Sequence, residues 1–122
     1  MNIVIIEQNK IFRESLKTVL NQIQDFKVIF DSDTINYTED ISNIHVNILL
    51  IDYNLGKSKC NETINKALVI WGTAVKFLLM TDFKAECAIN GINTTDVILK
   101  NSSKKEFENK IRKQETNNLQ TG

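Results

Sequence analysis

Apolar residues along the chain fall into five short runs, each followed by residues at helical spacing. The run Asn2-Ile3-Val4-Ile5-Ile6 precedes Ile11, Phe12, Leu16, Val19, Leu20 and Ile23, a helical stripe behind an Asn9 cap. Lys27 to Phe30 reads as a strand, and Tyr37, Ile41 and Ile44 mark a weak helix after it. The central run Val46-Asn47-Ile48-Leu49-Leu50-Ile51 leads past Gly56 to Ile64, Ala67, Leu68 and Trp71, spaced i, i+3, i+4, i+7. A fourth run, residues 75–80, precedes a short helix carrying Ala85, Ala88, Ile89 and, at its end, Ile92. The last run, Val97-Ile98-Leu99, leads to Ser103-Lys104-Lys105-Glu106. That is a capping-box pattern, and it opens a helix with Phe107 and Ile111 on one face.

Five strand-then-helix units predict an α/β domain: a parallel sheet, helices on both faces, right-handed crossovers. Residues 46–51 and 75–80 are apolar almost throughout, as strands covered on both sides should be. Gln114 to Gly122 carries no core residue beyond Leu119, so the domain is expected to span 1–113, with 114–122 a frayed end or the start of a linker.

Polar residues follow four of the runs. Glu7 and Gln8 follow the first, Asp52 the third, Thr81 the fourth and Lys100 the fifth. Open α/β sheets place ligands at the carboxyl ends of their strands. An acid, a lone aspartate, a hydroxyl and a lysine so placed predict one pocket suited to a metal ion and a phosphoryl group.

Composition narrows the function. Lys plus Arg equals Asp plus Glu, so the formal charge is zero, which argues against broad binding to nucleic acid through phosphate neutralisation. Cys60 and Cys87 form no CxxC pair and are expected to be reduced thiols of a cytoplasmic protein. No signal peptide is visible, and no run approaches the ~20 apolar residues of a membrane span. His45 lacks a second ligand at metal spacing and reads as a surface histidine. Trp71, Phe26, Phe30 and Phe77 read as packing residues, not as a stacking platform for nucleic acid.

The chain resembles the receiver domain of response regulators over about residues 2–113. The segment from Ile5 to Leu16, with Glu7-Gln8 and Phe12-Arg13, is similar to the first strand and helix of receivers in the LuxR/NarL-type branch. Leu49 to Gly56 resembles the phospho-acceptor strand and loop, Leu79-Met80-Thr81 the switch-hydroxyl strand, and Ile98-Leu99-Lys100 the lysine strand. This likeness implies a CheY-like, flavodoxin-like (βα)5 fold with strand order 2-1-3-4-5. It also implies a two-component signalling role. Asp52 would take a phosphoryl group from a sensor histidine kinase, Thr81 would hydrogen-bond it and Lys100 would pair with it. Mg²⁺ would be held by Glu7, Gln8, Asp52 and the main-chain carbonyl of Asn54. The state would pass through the face made by the fourth helix, fifth strand and fifth helix. On this resemblance the chain is either a stand-alone regulator or the receiver of a longer protein whose DNA-binding output domain is not in this chain, and a homodimer is consistent with it. No steady enzymatic turnover is implied, only self-phosphorylation and self-dephosphorylation.

Several residues depart from the family pattern. Gln8 stands where a second acid usually binds the metal, so weaker metal binding is expected. Asp82 stands where a very small residue is preferred, and reads either as an N-cap for the next helix or as a charge that repels the phosphoryl group. Val97 replaces a switching aromatic ring. The stretch from Thr81 to Lys100 is about three residues short, close to one helical turn. Asn101 replaces a proline that often forms a cis peptide bond.

Two other functional classes compete. One is a degenerate receiver that acts as a phosphorylation-independent interaction module, motivated by Gln8 and Asp82. The other is an aspartate-nucleophile phosphohydrolase, disfavoured because Asn54 cannot donate the proton such enzymes need. A flavin site is weaker still, since the loop after the first strand lacks the small residues that would cradle a phosphate.

Overall fold

The computed structural model describes residues 1–36, 38–83 and 97–121. In chain order the elements are β1 (Asn2–Ile6), α1 (Lys10–Asn21), β2 (Lys27–Ser32), α2 (Glu39–Ser42), β3 (Ile48–Asp52), a 3-10 turn (Tyr53–Leu55), α3 (Lys57–Trp71), β4 (Lys76–Thr81), β5 (Val97–Leu99) and α4 (Lys104–Thr121). The helix expected around Ala85 to Ile92 lies outside the described residues, as do Tyr37 and Cys87. All strand pairings are parallel, in the order β2-β1-β3-β4-β5.

Alternation along the strands sorts the core into two layers. Ile3 and Ile5 of β1, Ile48 and Leu50 of β3, Leu78 and Met80 of β4 and Ile98 of β5 face one layer. There they pack with Leu16 and Leu20 of α1 and with Phe107 and Ile111 of α4. Val4, Ile6, Leu49, Ile51 and Leu79 face the other, against Cys60, Ile64 and Ala67 of α3. Because both faces are covered, the inner strands can be apolar at every position, and all five residues of β3 are buried.

Local chemistry sets the helix ends. Asn9 caps α1, its side chain accepting the Phe12 N–H at 3.0 Å. The capping box at α4 is reciprocal: Glu106 N–H donates to Ser103 Oγ at 3.1 Å, and Ser103 N–H donates to Glu106 Oε1 at 3.0 Å. The Ser103 N–H, and after it the Ser103 hydroxyl, hold the Glu106 carboxyl below its ordinary pKa. No cis peptide occurs among the described residues, Lys100-Asn101 included.

Some expected boundaries shift, each for a visible reason. Ile11 is 79% exposed and leaves the predicted stripe, because the buried face of α1 is set by Leu16 and Leu20. Ile23 is buried but lies past the helix end, in the turn that leads to β2. α2 is a single turn that buries Ile41, and Trp71 Nε1 donates to the Ile41 carbonyl at 2.9 Å. β3 begins at Ile48, since the Asn47 side chain is engaged by the Asn2 N–H at 2.7 Å. β2 runs on to Ser32, whose carbonyl accepts the Glu7 N–H at 2.9 Å. α4 continues as helix to Thr121, where the sequence suggested fraying, and Gln114 is buried in it. His45 is exposed, as expected, and Cys60 is buried. No described helix is long and apolar enough to cross a membrane.

Gly56 links the 3-10 turn after β3 to α3, with φ 98° and ψ 154°. That region is essentially closed to residues with a Cβ. No atom lies within 4 Å of where a Cβ would sit, so the constraint is conformational, not steric. Gly56→Ala should therefore cost about 1–3 kcal/mol of stability in urea denaturation. Gly56→Asn should lose about as much as the alanine variant, because asparagine's tolerance of positive φ is confined to the left-handed helical region, far from ψ 154°.

Candidate functional site

The carboxyl ends of β1, β3 and β5 bring Glu7, Asp52 and Lys100 together. Strand alternation explains why. Glu7 continues the Ile3, Ile5 series, Asp52 the Ile48, Leu50 series and Lys100 the Ile98 position, so all three fall on the side of the sheet that carries α1 and α4. Lys100 Nζ lies 2.8 Å from Glu7 Oε1 and 2.8 Å from Asp52 Oδ1. The ammonium also stands 5.5 Å from the centre of the Phe12 ring. Glu7 is fully buried and Asp52 is 2% exposed, so one half-buried cation is shared by two buried acids.

Each carboxylate is further held by main-chain donors. Asn54 N–H donates to Asp52 Oδ1 at 2.9 Å, and the Gln8 N–H donates to Oδ2 at the longer 3.4 Å. Asn9 N–H donates to Glu7 Oε2 at 2.9 Å. Glu7 Oε1 meets no hydrogen-bond donor besides the Lys100 ammonium. Behind Glu7, Arg13 Nη1 donates to its carbonyl at 2.6 Å while Arg13 Nε lies 3.4 Å from Asp31. Lys17 Nζ bonds the same aspartate at 3.0 Å, which ties the first turns of α1 to the end of β2.

These surroundings separate the two acids. Burial pushes the Glu7 carboxyl above its ordinary pKa, and the adjoining Asp52 carboxylate pushes the same way; Lys100 and the Asn9 N–H oppose without prevailing. For Asp52, burial also acts upward, but it is outweighed by hydrogen bonds with Glu7, Lys100 and the Asn54 N–H, so its pKa lies below the ordinary range. Burial disfavours the Lys100 ammonium, yet its two carboxylate partners hold its pKa above the usual lysine value. Asp52 therefore stays ionised, and Glu7 is the first of the pair to take a proton.

An open depression of ≈ 360 Å³ lies over this cluster, lined by Glu7, Gln8, Asn9, Phe12, Asp52, Asn54, Asp82 and Lys100. Gln8 contributes an exposed side chain without charge. Asp82 is exposed at the rim, and Asn54 Nδ2 donates to its Oδ2, joining the loop after β3 to the loop after β4. The helix that Asp82 would cap lies outside the described residues. Thr81 is 2% exposed but does not line the depression. It continues the Leu79 series on the opposite parity, and its Oγ1 accepts the Phe83 N–H at 3.3 Å. Its carbonyl accepts the Lys100 N–H at 2.8 Å and so fixes where the lysine leaves β5. Val97 pairs with Leu79 in the sheet.

Sequence reasoning missed four contributors: Asn9 on Glu7, Phe12 beneath Lys100, Arg13 on the Glu7 carbonyl, and the Asp82–Asn54 contact. The first three are the N-cap and opening turn of α1, and with three residues between the strand end and the helix that turn must aim at the strand end. The fourth has no local signal, since 28 residues separate its partners.

No protein-family model and no curated protein sequence matches the chain. Solved structures do. The response regulatory domain of protein mrkE from Klebsiella pneumoniae is similar with a TM-score of 0.72 and 16% identity, over 98% of this chain and 99% of that one. RcsB from Salmonella enterica serovar Typhimurium, solved on promoter rprA with the phosphomimetic BeF3-, gives 0.68 and 14%, over 92% and 96%. The N-terminal domain of a response regulator/sensory box/GGDEF 3-domain protein from Carboxydothermus hydrogenoformans gives 0.66 and 15%, over 96% and 98%. The fold is that of response-regulator receiver domains, with the expected strand order 2-1-3-4-5.

Removing the shared cation should leave two buried carboxylates uncompensated. Lys100→Met is expected to lose about 3 kcal/mol at neutral pH, measured by urea denaturation, and adding Glu7→Gln should restore part of it. The pH dependence follows from the signs. The Lys100 pKa is raised in the fold, so its contribution is complete below its ordinary value of 10.5 and disappears as pH climbs through the folded value. The Asp52 pKa is lowered, so its contribution is present above the ordinary value and disappears as pH falls through the folded one. Glu7 has the opposite sense: its raised pKa means the fold prefers the protonated form, and ionising it weakens the fold. Asp52→Asn removes the like-charged neighbour. It should lower the Glu7 pKa, visible in a carboxyl ¹³C NMR titration; an unchanged Glu7 titration would show that the two acids do not interact.

Proposed function

We propose that this chain is a two-component receiver that accepts a phosphoryl group on Asp52 from the phosphohistidine of a sensor histidine kinase. The observation that carries this reading is the Lys100 ammonium, 2.8 Å from a buried carboxylate at the carboxyl end of β3, within a receiver fold. A carboxylate that stays ionised is a competent nucleophile, and a cation beside it offsets the charge that an incoming phosphoryl group brings.

The two Asp52 oxygens differ. Oδ1 is held at 2.8 and 2.9 Å by Lys100 and the Asn54 N–H, whereas the Gln8 N–H meets Oδ2 at 3.4 Å, so we assign the more loosely held Oδ2 as the attacking atom. The new bond joins Oδ2 to phosphorus as the bond from phosphorus to the kinase imidazole breaks, its electron pair staying on nitrogen. Lys100 would then pair with a phosphoryl oxygen. The Thr81 hydroxyl, now accepting from Phe83, would turn to donate to another. Through Lys100 and the connection it begins, the change would reach β5 and α4, and from there an output domain that binds DNA.

A divalent cation fits the donor set. Glu7 and Asp52 supply two carboxylates, the Asn54 carbonyl and Gln8 amide are neutral oxygens, and the buried Glu7 Oε1 has room in its hydrogen bonding. Hard oxygens of this kind suit Mg²⁺, which when bound would neutralise charge and align the phosphoryl oxygens. Asn54 has no proton to give a leaving group, so steady turnover of phosphate esters is not part of this function. We place the protein in the cytoplasm with its kinase.

A second reading, an interaction module that needs no phosphorylation, draws on the uncharged Gln8 and on the Asp82–Asn54 contact over the site. One experiment separates the two. With Mg²⁺ and phosphoramidate, the wild-type chain should gain one phosphoryl group by intact-mass spectrometry and Asp52→Asn should gain none. If the wild type gains none and beryllium fluoride also fails to bind, the interaction module stands and phosphotransfer is excluded.

A further inference from the structure

The mouth of the acceptor site carries a fixed negative charge. Of the described ionisable side chains lining the depression, Glu7, Asp52 and Asp82 are acidic and Lys100 is the cation. Lys100 is already committed to Glu7 and Asp52. Nearby Arg13 is committed to Asp31 and to the Glu7 carbonyl. Among the described residues the Asp82 carboxylate at the rim is paired with an amide and with no cation, and the Asn54 amide holds it at the edge of the depression. Asn54 is in turn anchored by its own N–H on Asp52 Oδ1. The rim charge and the nucleophile are therefore connected through a single residue.

We infer that Asp82, held by Asn54, is a specificity-determining residue that selects phosphoryl donors by charge. It disfavours small, fully anionic donors such as acetyl phosphate relative to donors whose leaving nitrogen carries positive charge, such as phosphoramidate or a protonated phosphohistidine. The inference rests on the reading of Asp52 as phosphoryl acceptor. A like charge beside an entering anion lowers its local concentration and raises the energy of its approach. A donor that carries an ammonium or imidazolium group against the rim offsets that repulsion. Bond changes are the same for both donors: the Asp52 oxygen bonds to phosphorus, and the bond to the leaving atom breaks. The electron pair departs with acetate from acetyl phosphate, or with neutral ammonia from phosphoramidate protonated on nitrogen. Asp82 exchanges no bond or proton. A receiver so arranged is shielded from phosphorylation by metabolic acyl phosphates while still open to its kinase.

The test uses the full chain with Mg²⁺, comparing wild type, Asp82→Asn and Asp82→Ala. Initial rates of Asp52 phosphorylation are followed by intact-mass spectrometry with each donor. Asp82→Asn should raise the acetyl phosphate rate about tenfold and the phosphoramidate rate less than about threefold, as removal of one unit charge at intermediate dielectric predicts. Asp82→Ala should match Asp82→Asn, and the gap between wild type and variants should narrow as salt is raised. Affinity for the beryllium fluoride anion, measured by ¹⁹F NMR, should tighten in both variants. Equal acceleration with both donors, acceleration in Asp82→Ala alone, or no change would each overturn the inference, while phosphorylation of the wild type would leave the acceptor reading standing. Absence of an adduct in every variant with either donor would instead overturn the acceptor reading, and the inference with it.

Discussion

One ammonium between two buried carboxylates organises the reactive end of this protein. Without Lys100, Glu7 and Asp52 would face each other as desolvated like charges at adjoining strand ends, an arrangement that a low-dielectric interior penalises strongly. With it, the cluster keeps a net charge of one negative unit and remains attractive to cations. The same contact orders the acids: Asp52 stays ionised while Glu7 sits above its ordinary pKa. Fold stability and the protonation order of the two acids therefore draw on the same three side chains, so neither changes without the other.

The sheet supplies the geometry. β1 and β3 lie side by side although β2 intervenes in sequence, and this switch in direction opens a crevice at their carboxyl ends. Residue parity then decides which side chains reach it. Glu7, Asp52 and Lys100 share the α1 and α4 side, and Thr81 falls on the other. Lys100 and Thr81 thus leave the same end of the sheet toward different layers, which is why the hydroxyl does not line the depression over the lysine.

Much of this was legible in the sequence because the signals were local. Apolar runs such as Ile48 to Ile51 marked strands covered on both faces, and Asn9 and the Ser103–Glu106 pair marked helix starts through side-chain hydrogen bonds within a few residues. Glu7, Asp52 and Lys100 were found because each directly follows a strand. Thr81 was found by the same rule, but the rule does not specify which face a strand-end residue takes, and its hydroxyl points to Phe83. Ile11 misled because helical periodicity gives a stripe about a third of the circumference wide, and only packing fixes its edge. Contacts between loops, such as Asn54 with Asp82, depend on the tertiary arrangement and leave no periodic trace.

The lysine arrives last along the chain, on an edge strand of only three residues. Pairing of β1 with β3 alone would already bring the two acids together, before any cation is present to reconcile them. A half-assembled sheet lacking β5 is therefore electrostatically disfavoured at neutral pH, and docking of that short edge relieves the conflict. Polar groups usually regarded as a concession to chemistry here make folding more nearly all-or-none. The strand with the least hydrophobic surface to offer is drawn in by charge.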